Sequence, residues 1–373
     1  MKSSTTLQAA DSQAGRGKAG VNGDICVSVI MPVRNEGRFI DQTLQSLQEQ
    51  FTPGFELEIL VVDGMSEDNT REQVRKLAAK DPRIKLLRNP SRHTPAALNI
   101  GLQAAAGQYV CIMGAHASYD ADYISVCLQE LLEHDAIGCS GRLITTPANS
   151  SRQARLVAWA AGHPFASSSR SVRTQREGYA DTVPFPVFCK YPLLAIGGYD
   201  ERLVRNQDND MNQRLRALGY KLYVTAKTQC RYYPRPSVRS FLKHAFMSGR
   251  WNAVSLRANP MSLGVRHLVP LVFVTVLLIL AGIALGGLSS HSLLYRTATL
   301  ALGAILASHL GIGSIAAARV GLQQRTLAAL WLVPLILAFH VSYGLGTLLG
   351  LMMPLPPAPS IPTQTLTDSL RSN

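Results

Sequence analysis

The sequence predicts an α/β domain with a parallel-rich central sheet, joined through a basic segment to three membrane-crossing helices. Two patterns carry this expectation: short apolar runs alternating with helix-period segments in the first third, and three long uncharged stretches after Arg266. A further observation is a lopsided charge. Residues 1–150 hold 14 Lys and Arg against 17 Asp and Glu, residues 151–265 hold 18 against 6, and the remainder holds 5 against 1. The net +13 therefore belongs to the middle of the chain. A cationic stretch of that kind faces phosphates, in nucleotides or nucleic acid, or anionic lipid. The apolar stretches that follow it weaken the nucleic-acid reading.

Taken in order, residues 1–24 are rich in Ser, Gly, Ala and Gln, lack an apolar run, and read as a disordered segment rather than a signal peptide. Val27–Met31 is a β-branched run ending at Pro32 and reads as a buried strand. Phe39, Ile40, Thr43, Leu44 and Leu47 then fall at helical spacing over residues 39–50. Strands follow at Leu57–Val62, Ile84–Leu87 and Tyr109–Met113, separated by helices at Asn69–Lys80 and Pro95–Ala106. Strands with almost no polar alternation, linked by helices, imply a parallel sheet covered on both faces. Ligands on such sheets sit beyond the carboxyl ends of the strands. That rule singles out Pro32–Glu36, Asp63–Asp68 and Gly114–Asp122.

No GxGxxG follows the first strand, which argues against a dinucleotide-binding Rossmann domain. Asp63 instead ends the second strand, where a lone carboxylate can accept hydrogen bonds from a base or ribose. The structural alternative stays open: Asp63-Gly64 as a turn and Ser66–Thr70 as a helix cap. The six cysteines stand singly, without a CxxC pair, and read as reduced core residues.

Three spans are expected, at Leu268–Gly287, Thr297–Ala318 and Leu327–Met353. With everything before Arg266 cytoplasmic, Arg319 and Arg325 fall in a cytoplasmic loop, leaving Arg296 in the outer loop and Arg371 in the tail, which agrees with the positive-inside rule. His309 and His340 read either as a polar path or as a hydrogen-bonded pair between helices. Gly282 with Gly286, and Gly346 with Gly350, have the spacing of close helix approach. The proline-rich end reads as an exposed tail. The expected boundaries are 25–235 for the soluble domain, 236–265 for basic interfacial helices, 266–353 for the membrane domain and 354–373 for the tail.

Together, VSVIMPVRNE, VVDGMSEDNT, ALNIGLQAAAGQYV and GGYDE followed by DND and RLRALGY resemble the family 2 inverting glycosyltransferases, over about Ile25 to Trp251. Within that family, NPSRHTPAALN, AHASYDADYI and LVRNQDNDMNQRLRALGYKL are similar to the succinoglycan-type exopolysaccharide glycosyltransferases. The resemblance implies a GT-A fold whose first half binds the nucleotide and whose second half binds the acceptor. By position it implies Pro32 and Glu36 flanking the nucleoside, Asp63 with Ser66 at the uracil or ribose, Arg92 before a helix, and Asn99 near the donor.

The family's acidic metal motif, commonly DxD, falls on Gly114-Ala115-His116, so the implied divalent metal (Mn or Mg) rests on His116 while Gly114 has removed an Asp. Asp122 reads as the cap of the next helix. The family's base position is Gln207-Asp208, with Asp208 as the implied base and Asp210 orienting it or binding acceptor. Ordinary helix N-terminal acids are the competing account. Ser248-Gly249-Arg250-Trp251 is similar to the end of QxxRW, with Met247 in place of Gln, implying Arg250 at the diphosphate and Trp251 on the acceptor sugar. Arg231, Arg235, Arg239 and Lys243 read as interfacial, holding a lipid-linked pyrophosphate or anchoring to anionic lipid.

The implied activity is transfer from a UDP-sugar, such as UDP-glucose, to a polyprenyl-diphosphate-linked oligosaccharide in surface or exopolysaccharide assembly. That places a multi-pass protein in the inner membrane, with a cytoplasmic catalytic domain, lipid partners, a polysaccharide assembly complex in prospect and no nucleic acid. A polyprenyl-phosphate sugar synthase is the enzymatic alternative. A non-catalytic nucleotide-sugar-binding or scaffolding subunit is the alternative from another class.

Overall fold

The computed structural model describes residues 25–115, 117–167, 171, 173–260, 264–286 and 293–354. The expected disordered segment 1–24, the tail after Pro354 and the candidate metal ligand His116 lie outside the described residues.

The first half follows the predicted alternation: β1 (Ile25–Val33), α1 (Ile40–Gln48), β2 (Phe55–Asp63), α2 (Thr70–Ala78), β3 (Ile84–Arg88), α3 (Thr94–Ala104) and β4 (Tyr109–Ile112). These strands lie side by side in the order β3-β2-β1-β4, all parallel. Each strand is apolar on both faces because each face is covered. Val27, Val29 and Met31 pack with Leu44 and Leu47 on one side, while Ile30 packs with Leu98 and Leu102 on the other. Phe39, read as the first residue of the helix, is 46% exposed because α1 starts one residue later and leaves it at the cap.

The second half extends the same sheet with β5 (Ala117–Tyr119), β6 (Gly138–Thr145), β7 (Gly178–Tyr179), β8 (Val187–Cys189) and β9 (Leu222–Tyr232). The order continues β4-β8-β6-β9-β5, with β7 also on β9. β8 is antiparallel to both neighbours, and β6 runs parallel to β9. Between the strands lie α4 (Tyr123–Glu133), α5 (Arg152–Gly162), α6 (Pro164–Ser167), α7 (Lys190–Ala195) and α8 (Gln207–Ala217). The six cysteines are free.

Residues 236–265, expected as several interfacial helices, contain one long helix, α9 (Val238–Ala258), whose N-cap Ser237 accepts a hydrogen bond from the Ser240 amide at 3.2 Å. Three helices are long and apolar enough to cross a membrane: α10 (Val269–Gly286), α11 (Leu293–Gln324) and a unit over Leu327–Leu351 that becomes α12 (Leu332–Leu351). At 32 residues α11 is longer than expected and absorbs Arg296 and Arg319, which the sequence reading left in loops. At ~1.5 Å per residue it reaches about 48 Å, well beyond a ~30 Å hydrocarbon layer, so arginines near its two ends need not enter the apolar interior.

The most extensive helix contact is between α9 and α12. A Cβ at Gly249 would collide with the Tyr343 carbonyl, one at Gly346 with the Phe246 carbonyl, and one at Gly350 with the Arg250 carbonyl. The Gly346/Gly350 pair is thus spent on α9 and not on another span, while Gly282 and Gly286 meet nothing within 4 Å. His309 and His340 hydrogen-bond to each other at 2.9 Å, with Phe165 and Phe273 against the His309 ring. This is the pair between helices that the sequence offered as one of two readings.

Gly346→Leu is expected to separate α9 from α12 at a cost of at least ~1–3 kcal/mol, the usual range for overpacking. A fall in the thermal midpoint of the detergent-solubilised protein measures it. Gly282→Leu should leave the midpoint unchanged.

Candidate active site

The carboxyl ends of β1 and β2 are stitched into one platform. Val33 pairs with Asp63, and Asp63 with Arg88, across adjacent strands. The loop after β1 then crosses to the loop after β2: the Asn35 amide donates to Ser66 Oγ at 2.9 Å, the Glu36 amide to Thr70 Oγ1 at 2.8 Å, and the Gly37 amide to Asp68 Oδ2 at 3.0 Å. Glu67 returns one bond to Asn35 Oδ1 at 2.9 Å. Asn35 and Met65 hold this shape with φ of 57° and 59°, the left-handed region that Asn tolerates best after Gly.

Asp63 is 1% exposed and accepts from the Ser66 amide through both oxygens, at 3.2 and 3.1 Å. Arg71 Nε lies 3.7 Å from its carboxylate. The structure therefore brings Pro32, Glu36, Asp63 and Ser66 to one edge, with Ser66, Asp68 and Thr70 also serving as turn and cap residues. Arg92, with φ of 60°, stands 4.0 Å from Glu67 on the neighbouring loop. Asn35 fell inside the Pro32–Glu36 stretch without a role of its own, and Arg71 was not singled out, though an Asn just past a strand end is a signal for a left-handed turn.

Asn99 engages the turn that leads towards α8. Its Nδ2 donates to the Tyr199 carbonyl and to Glu201 Oε1, both at 2.9 Å, and its Oδ1 accepts from the Tyr199 amide at 2.7 Å. All of its capacity goes into clasping the Gly198–Glu201 turn, where Gly197 and Gly198 take φ of 83° and 71°. That turn leads towards α8.

At the head of α8 the two candidate acids are in different states. Asp210 is 1% exposed and fully engaged: Oδ2 accepts from Arg214 Nε at 2.8 Å and Oδ1 from Asn259 Nδ2 at 2.9 Å. Arg214 also donates to the Ile196 and Gly198 carbonyls, at 3.0 and 2.7 Å. Asp210 lines a cleft of about 350 Å³ with Tyr199, Asp200, Arg202, Arg214 and Asn259. Asp208, by contrast, keeps an exposed surface while protein crowds its other sides. Lost hydration pushes its carboxyl above the ordinary value, against the opposing pull of the amides of Asn209 and of its own residue.

The segment before Asp208 is fastened to α9. Arg205 Nη1 lies 3.2 Å from His244 Nδ1. Asn206, at the α8 cap with φ of 65°, sends its side chain to Asn252 Oδ1 at 2.6 Å and to Ser255 Oγ at 3.4 Å. Asn252, 2% exposed, donates in turn to the Tyr343 hydroxyl of α12. The sequence reading did not single out Asn206, whose partners, distant in sequence, left no local signal.

The metal corner is sparse. Gly114 offers no donor side chain, Asp120 Oδ1 accepts from Arg231 at 3.0 Å, and Asp122 Oδ1 accepts from Thr228 Oγ1 at 2.8 Å. Asp122 occupies the α4 cap position without making the cap bond. Among the described residues no three His, Cys, Asp or Glu side chains assemble a metal site. Arg250 turns to Met353 Sδ at the end of α12, and Trp251 is half-buried. Both belong to the α9 seam, and neither joins the Asp63 platform through any described contact.

Residues 28–189 match the family model described as Glycosyl transferase family 2. The chain carries a family 2 glycosyltransferase domain. It is 29% identical over 246 residues to the succinoglycan biosynthesis protein ExoA of Rhizobium meliloti, covering 65% of this chain and 74% of that protein. It is 27% identical over 242 residues to a Methanococcus voltae enzyme, the dolichyl N-acetyl-alpha-D-glucosaminyl phosphate 3-beta-D-2,3-diacetamido-2,3-dideoxy-beta-D-glucuronosyltransferase, covering 62% and 74%. Among solved structures it is similar to the mannosyltransferase PcManGT from Pyrobaculum calidifontis in complex with GDP-Man and Mn²⁺, with a TM-score of 0.52, 20% identity, and 85% and 86% of the two chains covered. The fold of the glycosyltransferase domain is GT-A-type, and three apolar helices associate the chain with a membrane.

Asn99→Leu in the glycosyltransferase domain should unclasp the Gly198–Glu201 turn at a cost of ~1–3 kcal/mol. Its signature is a lower unfolding midpoint with UDP affinity, measured by calorimetry, within about twofold of the parent.

Proposed function

We propose that this chain is an inverting glycosyltransferase that moves a sugar from a UDP-sugar to a lipid-linked saccharide, with Asp208 as general base. The observation that carries this reading is the division of labour at the head of α8. Asp210, Asp200 and Glu201 are occupied by Arg214, Arg202 and Asn99, while Asp208 is accessible and its carboxyl is raised. A base of raised pKa holds a proton from the acceptor hydroxyl better than an ordinary carboxylate. As that oxygen bonds to the anomeric carbon, its proton passes to Asp208, the bond to the diphosphate oxygen breaks, and the nucleoside diphosphate leaves on the opposite face. Attack from the face opposite the leaving group inverts the anomeric centre.

In this reading the platform of Pro32, Glu36, Asp63 and Ser66 takes the nucleoside, with Arg92 beside it. Asp210 holds the geometry of the base and does not share its chemistry. Arg250 and Trp251 shape the α9 face next to the acceptor. No step is assigned to a metal. A lipid-linked acceptor is supported by the candidate span α12, which packs directly against the helix that holds α8 and carries the two other candidate spans, and by the roles of the relatives in succinoglycan biosynthesis and in transfer to a dolichyl-linked sugar. The cytoplasmic placement of the domain at the inner membrane rests on the asymmetry of charges near the span ends, Arg319 and Arg325 against Arg296.

Two outcomes test the base. Asp208→Asn should lower kcat at least ~10³-fold with UDP affinity unchanged, measured by single-turnover transfer and calorimetry. Because the raised group works deprotonated, activity should fall as pH drops through a pKa above the ordinary carboxylate 3.8. A kcat/KM profile without an acid limb above that value removes Asp208 from the mechanism. Membranes incubated with labelled UDP-sugars and lipid acceptor separate the readings by product. A labelled lipid oligosaccharide supports the proposal, a labelled lipid monosaccharide points to a polyprenyl-phosphate sugar synthase, and no product points to a non-catalytic subunit.

A further inference from the structure

A second pocket, of about 130 Å³, opens where the end of β9, α6, α9 and α12 converge. Its polar lining includes Arg173, Arg235, His244, Ser248, Tyr232 and Tyr343, and among the described residues no carboxylate lines it. The Arg173 guanidinium stacks 4.5 Å above the Tyr232 ring, which fixes its plane. Its Nη1 is nevertheless buried without a hydrogen-bond partner. Such a group is costly to leave unsatisfied, so an orphaned guanidinium N–H at a cavity points to an acceptor that arrives from outside.

The charge of the pocket is entirely arginine. Burial first, then the charges of Arg205, Arg173 and Arg235, push His244 down to about 4, so its imidazole is neutral near pH 7. None of these three arginines forms an ion pair among the described residues. Converging guanidiniums without a counter-acid are the chemistry of phosphate oxyanions. The other wall is apolar: Ala161, Phe241 and Phe339, the last from a candidate membrane span. A cavity with phosphate chemistry on one side and a membrane helix on the other suits an amphiphile better than a free nucleotide.

We propose that this pocket seats the phosphate or diphosphate headgroup of the membrane lipid that carries the acceptor sugar, with Arg173 and Arg235 as its ligands. The proposal rests on the lipid-linked acceptor reading above and adds the place where the carrier is held. Arg205, which touches the pocket through His244, lies three residues before Asp208. A headgroup in the pocket therefore sits beside the segment that presents the base, and a short saccharide suffices to span the gap.

The test uses the full chain in phosphatidylcholine nanodiscs, with undecaprenyl diphosphate as the lipid probe, read by native mass spectrometry, and UDP read by calorimetry. Arg173→Ala and Arg235→Ala should each weaken undecaprenyl diphosphate binding about tenfold or more, leaving UDP affinity within about twofold. Unchanged lipid binding overturns the proposal. So does a fall in UDP affinity with lipid binding intact, which assigns the pocket to the donor diphosphate. Where Arg173→Ala proves poorly folded, Ser248→Phe fills the pocket from α9 and must weaken lipid binding for the proposal to stand. Lost lipid binding in the variants upholds the pocket even when no transfer to a lipid oligosaccharide is found. Unchanged lipid binding alongside active transfer removes the pocket and keeps the acceptor reading.

Discussion

Gly249, Gly346 and Gly350 let the backbones of α9 and α12 meet at a distance no side chain would permit, and the candidate base hangs from that seam. Three attachments run from α9 to the start of α8: Arg205 to His244, Asn206 to Asn252, and Asp210 to Asn259 at the helix end. Asn252 then reaches Tyr343 on α12. Partly buried hydrogen bonds of this kind face less competition from water and are costly when one partner is lost. A shift of α9 along α12 would strain all three attachments together. Asp208 is thus held in register with a helix of the candidate membrane domain, and under the proposed function a lipid-borne acceptor would meet it at a set height.

This arrangement gives the basic middle of the chain a specific task. Asp63, Asp200 and Asp210 have arginine partners close by, and Asp120 takes Arg231. Arg173, Arg205 and Arg235 are not used in this way. Arg173 and Arg235 line the pocket by α12, and Arg205 reaches its wall through His244. The excess charge seen in the sequence therefore separates into cations that hold acids in place and cations that, in the proposed reading, are left for a phosphate.

The βαβ half was readable because its signals are local. A strand covered on both faces has to be apolar throughout, and Val27–Met31 and Leu57–Val62 say so residue by residue. The mixed half was not readable in the same way. β8 is three residues long and takes its place only by pairing between β4 and β6, and β9 bulges against β6 between Gly141 and Arg142. Such strands are fixed by partners far along the chain and not by period. The same limit applied at the site. Asp63 and Asp208 stand at positions that a motif marks, whereas the work of Asn99, Asn206 and Asn252 depends on which distant carbonyl or amide their side chains meet. Asn99 was read as a donor residue because it lies in a recognisable helix; its clasp on Tyr199 and Glu201 exists only in three dimensions.

The contrast between Asp208 and Asp210 follows from the helix that carries both. Residues two apart on a helix point about 200° away from one another, so a pair of acids at an N-terminus cannot face the same surroundings. Asp210 turns inward to Arg214 and Asn259, and this pairing satisfies a carboxylate that would otherwise be buried and unmatched. Asp208 is thereby left as the acid towards the open side, crowded enough to lose hydration yet without a cation to hold its charge down. A base needs that combination: a neighbouring arginine would have stabilised the carboxylate and weakened its hold on the proton. The inward pairing of one acid and the raised pKa of the other are thus two consequences of a single helix start, clamped by Asn206 to α9.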